Sequence, residues 1–324
     1  MTPLKTSLSR SVGKLLGVQK DTDLSLRGAT QSSRVPPPTG VTVKFAMFGG
    51  GGAGGAWVGG GGAGGGYVEE DAPLILDVSY AVTIGGGGAA PAPGPPAADG
   101  LGNPGGNTTF VTADGTFTAY GGGGGGGNGQ ASAPVGPGRP GGAGGGAGGG
   151  SYSPATGGSG NKVTGTSNPA QASPPQPQTL SRVQGYDGGT KSGTTGGGGG
   201  GAGGAGTDGP NSGGGSAITL TNFGPFNGTY GAGGGGCSSG SGGSPNAGDG
   251  VSTNETAKNA SGYANGGGGV REAGYVGGTG SAGIFVLRVP TSYTISSPGG
   301  STSTANGYNY LQRTSNGNVT VSEA

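Results

Sequence analysis

The sequence contains no histidine and a single cysteine, Cys237, among its 324 residues. This excludes metal sites built from imidazole and thiolate ligands, Ser-His and Cys-His nucleophile pairs, and internal disulfides. Paired carboxylates remain available, but the tight acidic cluster Glu69, Glu70 and Asp71 precedes a strand pattern and is interpreted as a solvated loop. We therefore expect no catalytic residue, no metal, no cofactor and no enzymatic activity.

Charged and apolar side chains are also scarce, at 9% and 29% of the residues. A formal net charge of +1 provides no basic face for phosphates, so nucleic acid is not an expected partner. The sequence has no apolar run of about 18 residues, which predicts no membrane insertion. It also has no secretion signal, which predicts a protein made in the cytoplasm. The hydrophobic core must be thin.

Glycine is abundant instead, with 92 residues gathered in runs such as 121–127 and 196–201. Gly/Ser tracts are flexible linkers by default, but these tracts are nearly pure Gly and Ala, and strand patterns flank most of them. Such tracts can adopt polyproline II geometry and bond side by side, because no Cβ holds the backbones apart. We predict packed polyglycine rods, about 30 Å long for residues 141–150, with alanine at the rim.

Alternating apolar and polar residues predict the strands between these tracts. The first covers 41–48, with Val41, Val43, Phe45 and Met47 on one face. The second covers 74–84, with Leu74, Leu76, Val78, Tyr80, Val82 and Ile84 on one face. Residues 110–120 predict a hairpin that turns at Asp114-Gly115. Short strands are also predicted at 217–222 and 283–289.

The fold class is therefore mostly β with irregular structure, in which short strands and hairpins are joined by polyproline II-like glycine segments. A short helix is predicted at the N-terminus. Composition divides the chain into an N-terminal segment with a proline spacer (1–39), a glycine-rich body (40–290) and a small C-terminal β tail (291–324). Within the body, residues 151–195 are interpreted as an exposed loop.

The N-terminal segment 1–34 has six basic and two acidic residues and a short apolar stripe at helical spacing. The stripe is too short to form a stable helix alone, so we interpret the segment as a docking peptide for a larger partner. A flexible tail is the alternative. The predicted docking side chains are Leu8, Val12, Leu15, Leu16, Leu24 and Leu26.

Three motifs carry a resemblance to a known family: Gly105-Gly-Asn-Thr-Thr-Phe110, Thr118-Ala-Tyr-Gly-Gly-Gly-Gly124 and Gly280-Ser-Ala-Gly-Ile-Phe-Val-Leu-Arg-Val-Pro290. Residues 40–324 resemble the glycine-rich structural proteins of tailed bacteriophages, especially tail-fibre and fibre-like proteins. The segments 11–18 and 23–27 resemble the N-termini of marine phage fibre proteins, which implies virion attachment. The ending 312–321 is more polar than that of the family.

The resemblance implies a virion structural protein, a tail fibre or fibre-associated adhesin that takes part in host attachment. Its partners would be other virion proteins, bound through residues 1–34, and a host surface receptor, expected to be a glycan. Scarce apolar surface favours a homo-oligomer, and a trimer is predicted, with a monomeric tip as the alternative. Candidate receptor contacts are Tyr152, Tyr186, Phe223, Phe226, Tyr230, Tyr263 and Tyr275.

Three other functions are considered. A capsid decoration, head-fibre or tail accessory protein would use the same body in a purely structural role. An ice-binding protein built from polyglycine helices belongs to a different class, and the single cysteine and the lack of a short repeat count against it. A glycan-cleaving fibre would need an acid/base pair, for which the sequence offers no candidate.

Overall fold

The structure is a computed structural model that describes residues 40–91, 100–128, 136–150, 156–158, 184–253, 255–272 and 274–324. The predicted N-terminal helix lies outside the described residues, and so does Tyr152. The same holds for the docking side chains Leu8, Val12, Leu15, Leu16, Leu24 and Leu26. Residues from Gly40 to Ala324 group into one unit by their contacts.

The regular structure is almost entirely β, as the sequence predicts. A single turn of 3-10 helix, Gly224–Phe226, lies between two of the strands. The strands are β1 Gly40–Phe48, β2 Tyr67–Ile75, β3 Ser79–Thr83, β4 Thr108–Thr112, β5 Gly115–Ala119, β6 Ile218–Leu220, β7 Gly228–Tyr230, β8 Ile284–Pro290, β9 Tyr293–Ser296, β10 Ser301–Ala305, β11 Tyr308–Arg313 and β12 Gly317–Glu323.

Two antiparallel five-stranded sheets pack face to face. Sheet I has the order β10-β11-β8-β1-β2, and sheet II has the order β5-β4-β3-β12-β9. Their inner faces form the main core, in which the fully buried Phe45 ring lies 5.2 Å from Phe110, 4.9 Å from Phe117 and 6.0 Å from Phe285, between ring centroids. The predicted apolar face of the first strand, Val41, Val43, Phe45 and Met47, belongs to this core.

A second core covers the other face of sheet I. Phe48 and Ile284 of the sheet are fully buried there beneath the β6–β7 hairpin and the 3-10 turn. The hairpin contributes Leu220 and Tyr230, and the connection between its strands contributes Phe223. The thin apolar content of the chain is thus divided between two small cores on opposite sides of one sheet.

The predicted strand 74–84 is wrong, because the chain turns in its middle. β2 ends at Ile75, Asp77 takes a left-handed φ of 61°, and β3 begins at Ser79. β2 lies in sheet I and β3 in sheet II, so this turn carries the chain across the sandwich. Val78, predicted to face the core, is 41% exposed at the turn.

The acidic cluster is also placed differently from the prediction. Glu69, Glu70 and Asp71 lie within β2, an edge strand, and not in a loop before a strand. Lys44 on the neighbouring β1 lies 3.2 Å from an Asp71 carboxylate oxygen and 3.7 Å from one of Glu69. Charged residues on an edge strand discourage pairing with a further strand, which explains their position there.

The other predicted strands are confirmed. The hairpin is β4–β5, although its register pairs Thr112 with Gly115, so the two turn residues are Ala113 and Asp114 and not Asp114-Gly115. Gly115 has a φ of 133° as the first residue of β5. Strand β6 lies within the predicted segment 217–222, and β8 overlaps the predicted segment 283–289 and ends one residue later.

Residues 291–324 are built into the same two sheets. β11 pairs with β8 in sheet I, and β12 lies between β3 and β9 in sheet II. Arg313 at the end of β11 is 1% exposed, and its guanidinium donates to the carbonyl oxygens of Ser315, Pro298 and Asn316 at 2.7–3.1 Å. This arginine joins the β9–β10 loop to the β11–β12 loop.

Candidate functional site

The glycine tracts form rods with a hydrogen-bond period of three. In residues 49–56, the N–H groups of Gly49, Gly52 and Gly55 donate to the carbonyls of residues 66, 63 and 60. The next N–H in each turn, from Gly50, Ala53 and Ala56, donates to residues 106, 103 and 100. The third N–H in each turn, from Gly51 and Gly54, points in a third direction and donates to the carbonyls of residues 281 and 278. Three directions in three residues is the geometry of polyglycine in the polyproline II form.

The rod at residues 59–66 is enclosed by other rods. Its N–H groups donate to three neighbouring rods, and its carbonyls accept from three others, at 2.8–3.0 Å. The acceptors lie in residues 120–126, 197–200 and 264–270, and the donors are in residues 49–55, at Gly146 and in residues 234–237. All eight N–H groups and six of the eight carbonyls of this segment are thereby paired with another backbone, which replaces the side-chain packing of an ordinary core.

Close packing explains why these positions are glycine. A Cβ added to Gly61 would lie 2.1 Å from the carbonyl oxygen of Gly234, and one added to Gly199 would lie 2.1 Å from that of Gly62. A Cβ at Gly86, on an outer rod, would meet nothing within 4 Å. Alanine is not confined to the rim as predicted, because Ala63 of the enclosed rod is fully buried.

The rods continue the strands of the sandwich. β1 ends at Phe48 where one rod begins, and β2 begins at Tyr67 where the enclosed rod ends. Consequently, these two rods each have one end at the sheets, and the chain turns between them at the opposite end, here called the distal end. We use this name for residues 56–59, 149–150, 190–196, 237–240, 251–253, 255–257, 270–272 and 274–276.

The turn at Trp57-Val58 lies at the start of the enclosed rod and therefore in the middle of the distal end. Both residues are left-handed, with φ of 48° and 57°, and both are partly exposed. The Val58 N–H donates to the Arg271 carbonyl at 2.9 Å, and the Val58 carbonyl accepts from Gly149 N–H at 2.7 Å. Trp57 is the only tryptophan in the sequence.

The pKa values of Cys237 and Asp249, in the glycine-rich part of the chain, are shifted. Burial raises the pKa of the Cys237 thiol, which is fully buried and accepts from the Gly196 N–H at 3.1 Å. The N–H of Gly242, followed by the ammonium of Lys258 at 2.9 Å, lowers the pKa of Asp249. These hydrogen bonds stabilise the turns in which the two groups lie.

Six of the seven predicted receptor contacts lie in the described part of the chain, and four of them pack near the sheets. Phe223 and Tyr230 are buried in the second core, with Phe226 and Tyr263 partly buried against it, so these four are packing residues near the sheets. Burial raises the pKa of Tyr230. Tyr275 lies at the distal end, partly buried against a small cluster of Ala56, Ala257 and Val270. Tyr186 is partly exposed, and its carbonyl accepts from the Gly144 N–H.

The structure brings forward a residue that the sequence reasoning missed. This residue is Trp57, an aromatic residue within a tract of Gly and Ala. Its isolation in that tract could have indicated a functional role, but the tract was interpreted only as a backbone scaffold. Among the described residues, no group of three or more His, Cys, Asp or Glu side chains could hold a metal ion. That part of the chain also has no helix with the length and apolar character needed to cross a bilayer.

A family model described as a glycine-rich domain matches residues 28–290. The match covers most of the chain, and the protein therefore belongs to the glycine-rich domain family. A comparison with curated proteins finds no match.

Proposed function

We propose that this chain is a structural protein of a tailed-phage virion, a tail fibre or fibre-associated adhesin that presents the distal end of its rods to a host surface. The observation that carries the proposal is the hydrogen-bonded array of rods, in which a segment such as 59–66 is bonded to six others. Such an array is a stiff spacer, and varied side chains are available at its turns for recognition.

The chemistry of the distal end is suited to binding. Exposed residues there are mainly small and polar, such as Ser192 and Thr194, and the aromatic side chains of Trp57 and Tyr275 are partly exposed beside them. Aromatic rings bury a large area on binding at low entropic cost, and polar neighbours fix the orientation of a ligand. The resemblance to phage fibre proteins supports a bacterial cell surface as the target, and the proposed receptor is a glycan on that surface.

The remaining parts of the proposal concern assembly. Residues 1–34 are proposed to attach the chain to other virion proteins, and the assembled form is proposed to be a homo-oligomer, with a trimer expected. Light scattering after size exclusion measures the oligomeric state directly. Deleting residues 1–34 should prevent incorporation into particles while Gly40–Ala324 stays folded, and truncated protein found in particles would contradict the attachment role.

Immunogold labelling of phage particles that encode this chain tests the main proposal. Gold at the tail or its fibres is the expected result. Gold on the head would replace this proposal with the capsid decoration or head-fibre role, which uses the same body. If washed particles contain none of the chain by quantitative blotting, both virion roles are refuted.

A second candidate function is ice binding, which the packed polyglycine rods favour. Exposed backbone on outer rods, as at Gly86, would supply a regular surface. Thermal hysteresis of the purified protein measures this activity, and its absence removes this candidate.

A further inference from the structure

We infer that Trp57 is the centre of a saccharide-binding site at the distal end, where its indole ring stacks on a pyranose ring. The inference rests on the proposed function for the source of the sugar, a glycan on the host surface. It goes further by assigning one residue and one mode of contact.

The backbone of the turn has an unusual conformation. Left-handed φ is unfavourable for residues with a Cβ, and most unfavourable for bulky or β-branched side chains. Trp57 and Val58 are both left-handed, at 48° and 57°, in a chain with 92 glycines. Glycine would suit both positions without strain. Strained residues of this kind cluster at functional sites, because the surrounding structure holds them there for a purpose other than stability.

The turn is held rigidly by hydrogen bonds from several sides. Ala56 N–H donates to the Gly100 carbonyl at 2.7 Å, just before the tryptophan. Val58 bonds to the turns on both sides of it, through Arg271 and Gly149. The backbone of such a turn does not have to be ordered when a ligand binds, which favours affinity.

The turns next to Trp57-Val58 carry polar side chains. Gly149, which bonds to Val58, also lies against the backbone of Thr194, in the polar turn Ser192 to Thr195. Arg271, whose carbonyl accepts from the Val58 N–H, is exposed and carries a guanidinium. A partly exposed aromatic ring on a surface that also carries hydroxyl groups and a guanidinium suits a sugar, which has an apolar C–H face and a rim of hydroxyls.

Intrinsic fluorescence tests the inference at this site alone, since the full chain has no other tryptophan. The probes are soluble oligosaccharides of glucose, galactose, mannose and N-acetylglucosamine, and fluorescently labelled bacterial host cells. We expect a saturable change of Trp57 emission with at least one oligosaccharide. The same oligosaccharide should compete with the protein for binding to cells. A flat emission across all of these sugars would overturn the inference.

Trp57→Gly separates binding from folding. It removes the indole and the strain together, so we expect the melting temperature to stay level or rise while cell binding weakens about tenfold or more. The matched control is Val58→Gly, which relieves the neighbouring strain and should leave sugar binding unchanged. A large fall in melting temperature for Trp57→Gly would assign the indole a packing role and overturn the inference.

Cell binding separates this inference from the proposed function. If the wild-type chain is on particles and binds cells, but Trp57→Gly binds them equally, the site is wrong and the function stands. If the wild-type chain is absent from particles and binds no cells, the proposed function fails. Binding that depends on Trp57 but survives periodate oxidation of the cell glycans would indicate a protein receptor and overturn the saccharide assignment.

Discussion

The enclosed rod should not tolerate even one additional carbon atom. In Gly61→Ala, the new Cβ would lie 2.1 Å from the Gly234 carbonyl oxygen, whereas ordinary contacts begin near 3.4 Å. The two rods must therefore separate by roughly an ångström. This stretches the 2.8 Å hydrogen bond from the Gly234 N–H to the Gly62 carbonyl past the limit of about 3.5 Å. The Cβ would also lie 2.9 Å from the Gly199 nitrogen on a third rod, so displacing the Gly234 carbonyl breaks the 2.9 Å bond that it accepts from Gly199.

The cost follows from the groups left without partners. Each buried donor left without an acceptor costs about 1–3 kcal/mol, so the N–H groups of Gly234 and Gly199 alone lower the free energy of unfolding by about 2–6 kcal/mol. Domains typically have about 5–15 kcal/mol in total. At roughly 2–4 °C per kcal/mol, Gly61→Ala should lower the melting temperature by about 5–20 °C.

The matched control is Gly86→Ala, whose Cβ would point into open space. It should leave stability unchanged or raise it by about 0.4–1 kcal/mol, because alanine restricts the unfolded chain. Both variants are compared by calorimetry and by amide exchange in the rods. Equal melting temperatures for the two variants would refute the close-packed array, and so would fast exchange throughout the rods of the native protein.

Further predictions concern single side chains. Because Cys237 is buried with a raised thiol pKa, thiol reagents should label it only as fast as the protein opens, and rapid stoichiometric labelling in native buffer would contradict its burial. The pKa of Asp249 is lowered from 3.8 in the folded protein, so its contribution to stability is present above the unfolded pKa and is lost as the pH falls through the folded pKa. Asp249→Asn should therefore reduce the loss of stability between about pH 6 and about pH 2. The same pH dependence in the variant and the wild type would contradict this. Arg313→Met should lower the free energy of unfolding by about 1–3 kcal/mol, because several carbonyls lose their donor. Denaturant titration compares this variant with Arg313→Lys, and an Arg313→Met protein as stable as Arg313→Lys would argue against that role.

The strands show what local sequence can predict. The alternation of Val41 to Met47 marks a half-buried strand whatever its partners are, so the prediction succeeded. The same signal failed at residues 74–84, because the alternation continues through a turn. Only Asp77, at φ 61°, marks the break, and aspartate there is a weak turn signal compared with glycine or proline.

The rods show what local sequence cannot predict. Their conformation follows from composition, but a run of glycine has no side-chain pattern to specify which rod lies beside which. That information resides in the strands that feed them, as when Phe48 and Tyr67 pair in sheet I and set two rods side by side. For the same reason, the aromatic side chains of Phe223 and Tyr230 could not be assigned to a core or a surface before the sheets were placed.

The period of three in the rods also limits how such a protein can change in length. A single residue inserted into the segment 59–66 would rotate each later N–H by about a third of a turn and direct it at a different neighbour. An insertion of three residues would restore every direction and lengthen the rod by about 9 Å. Variation in this family is therefore expected as triplets within rods, while the distal turns are free to vary one residue at a time.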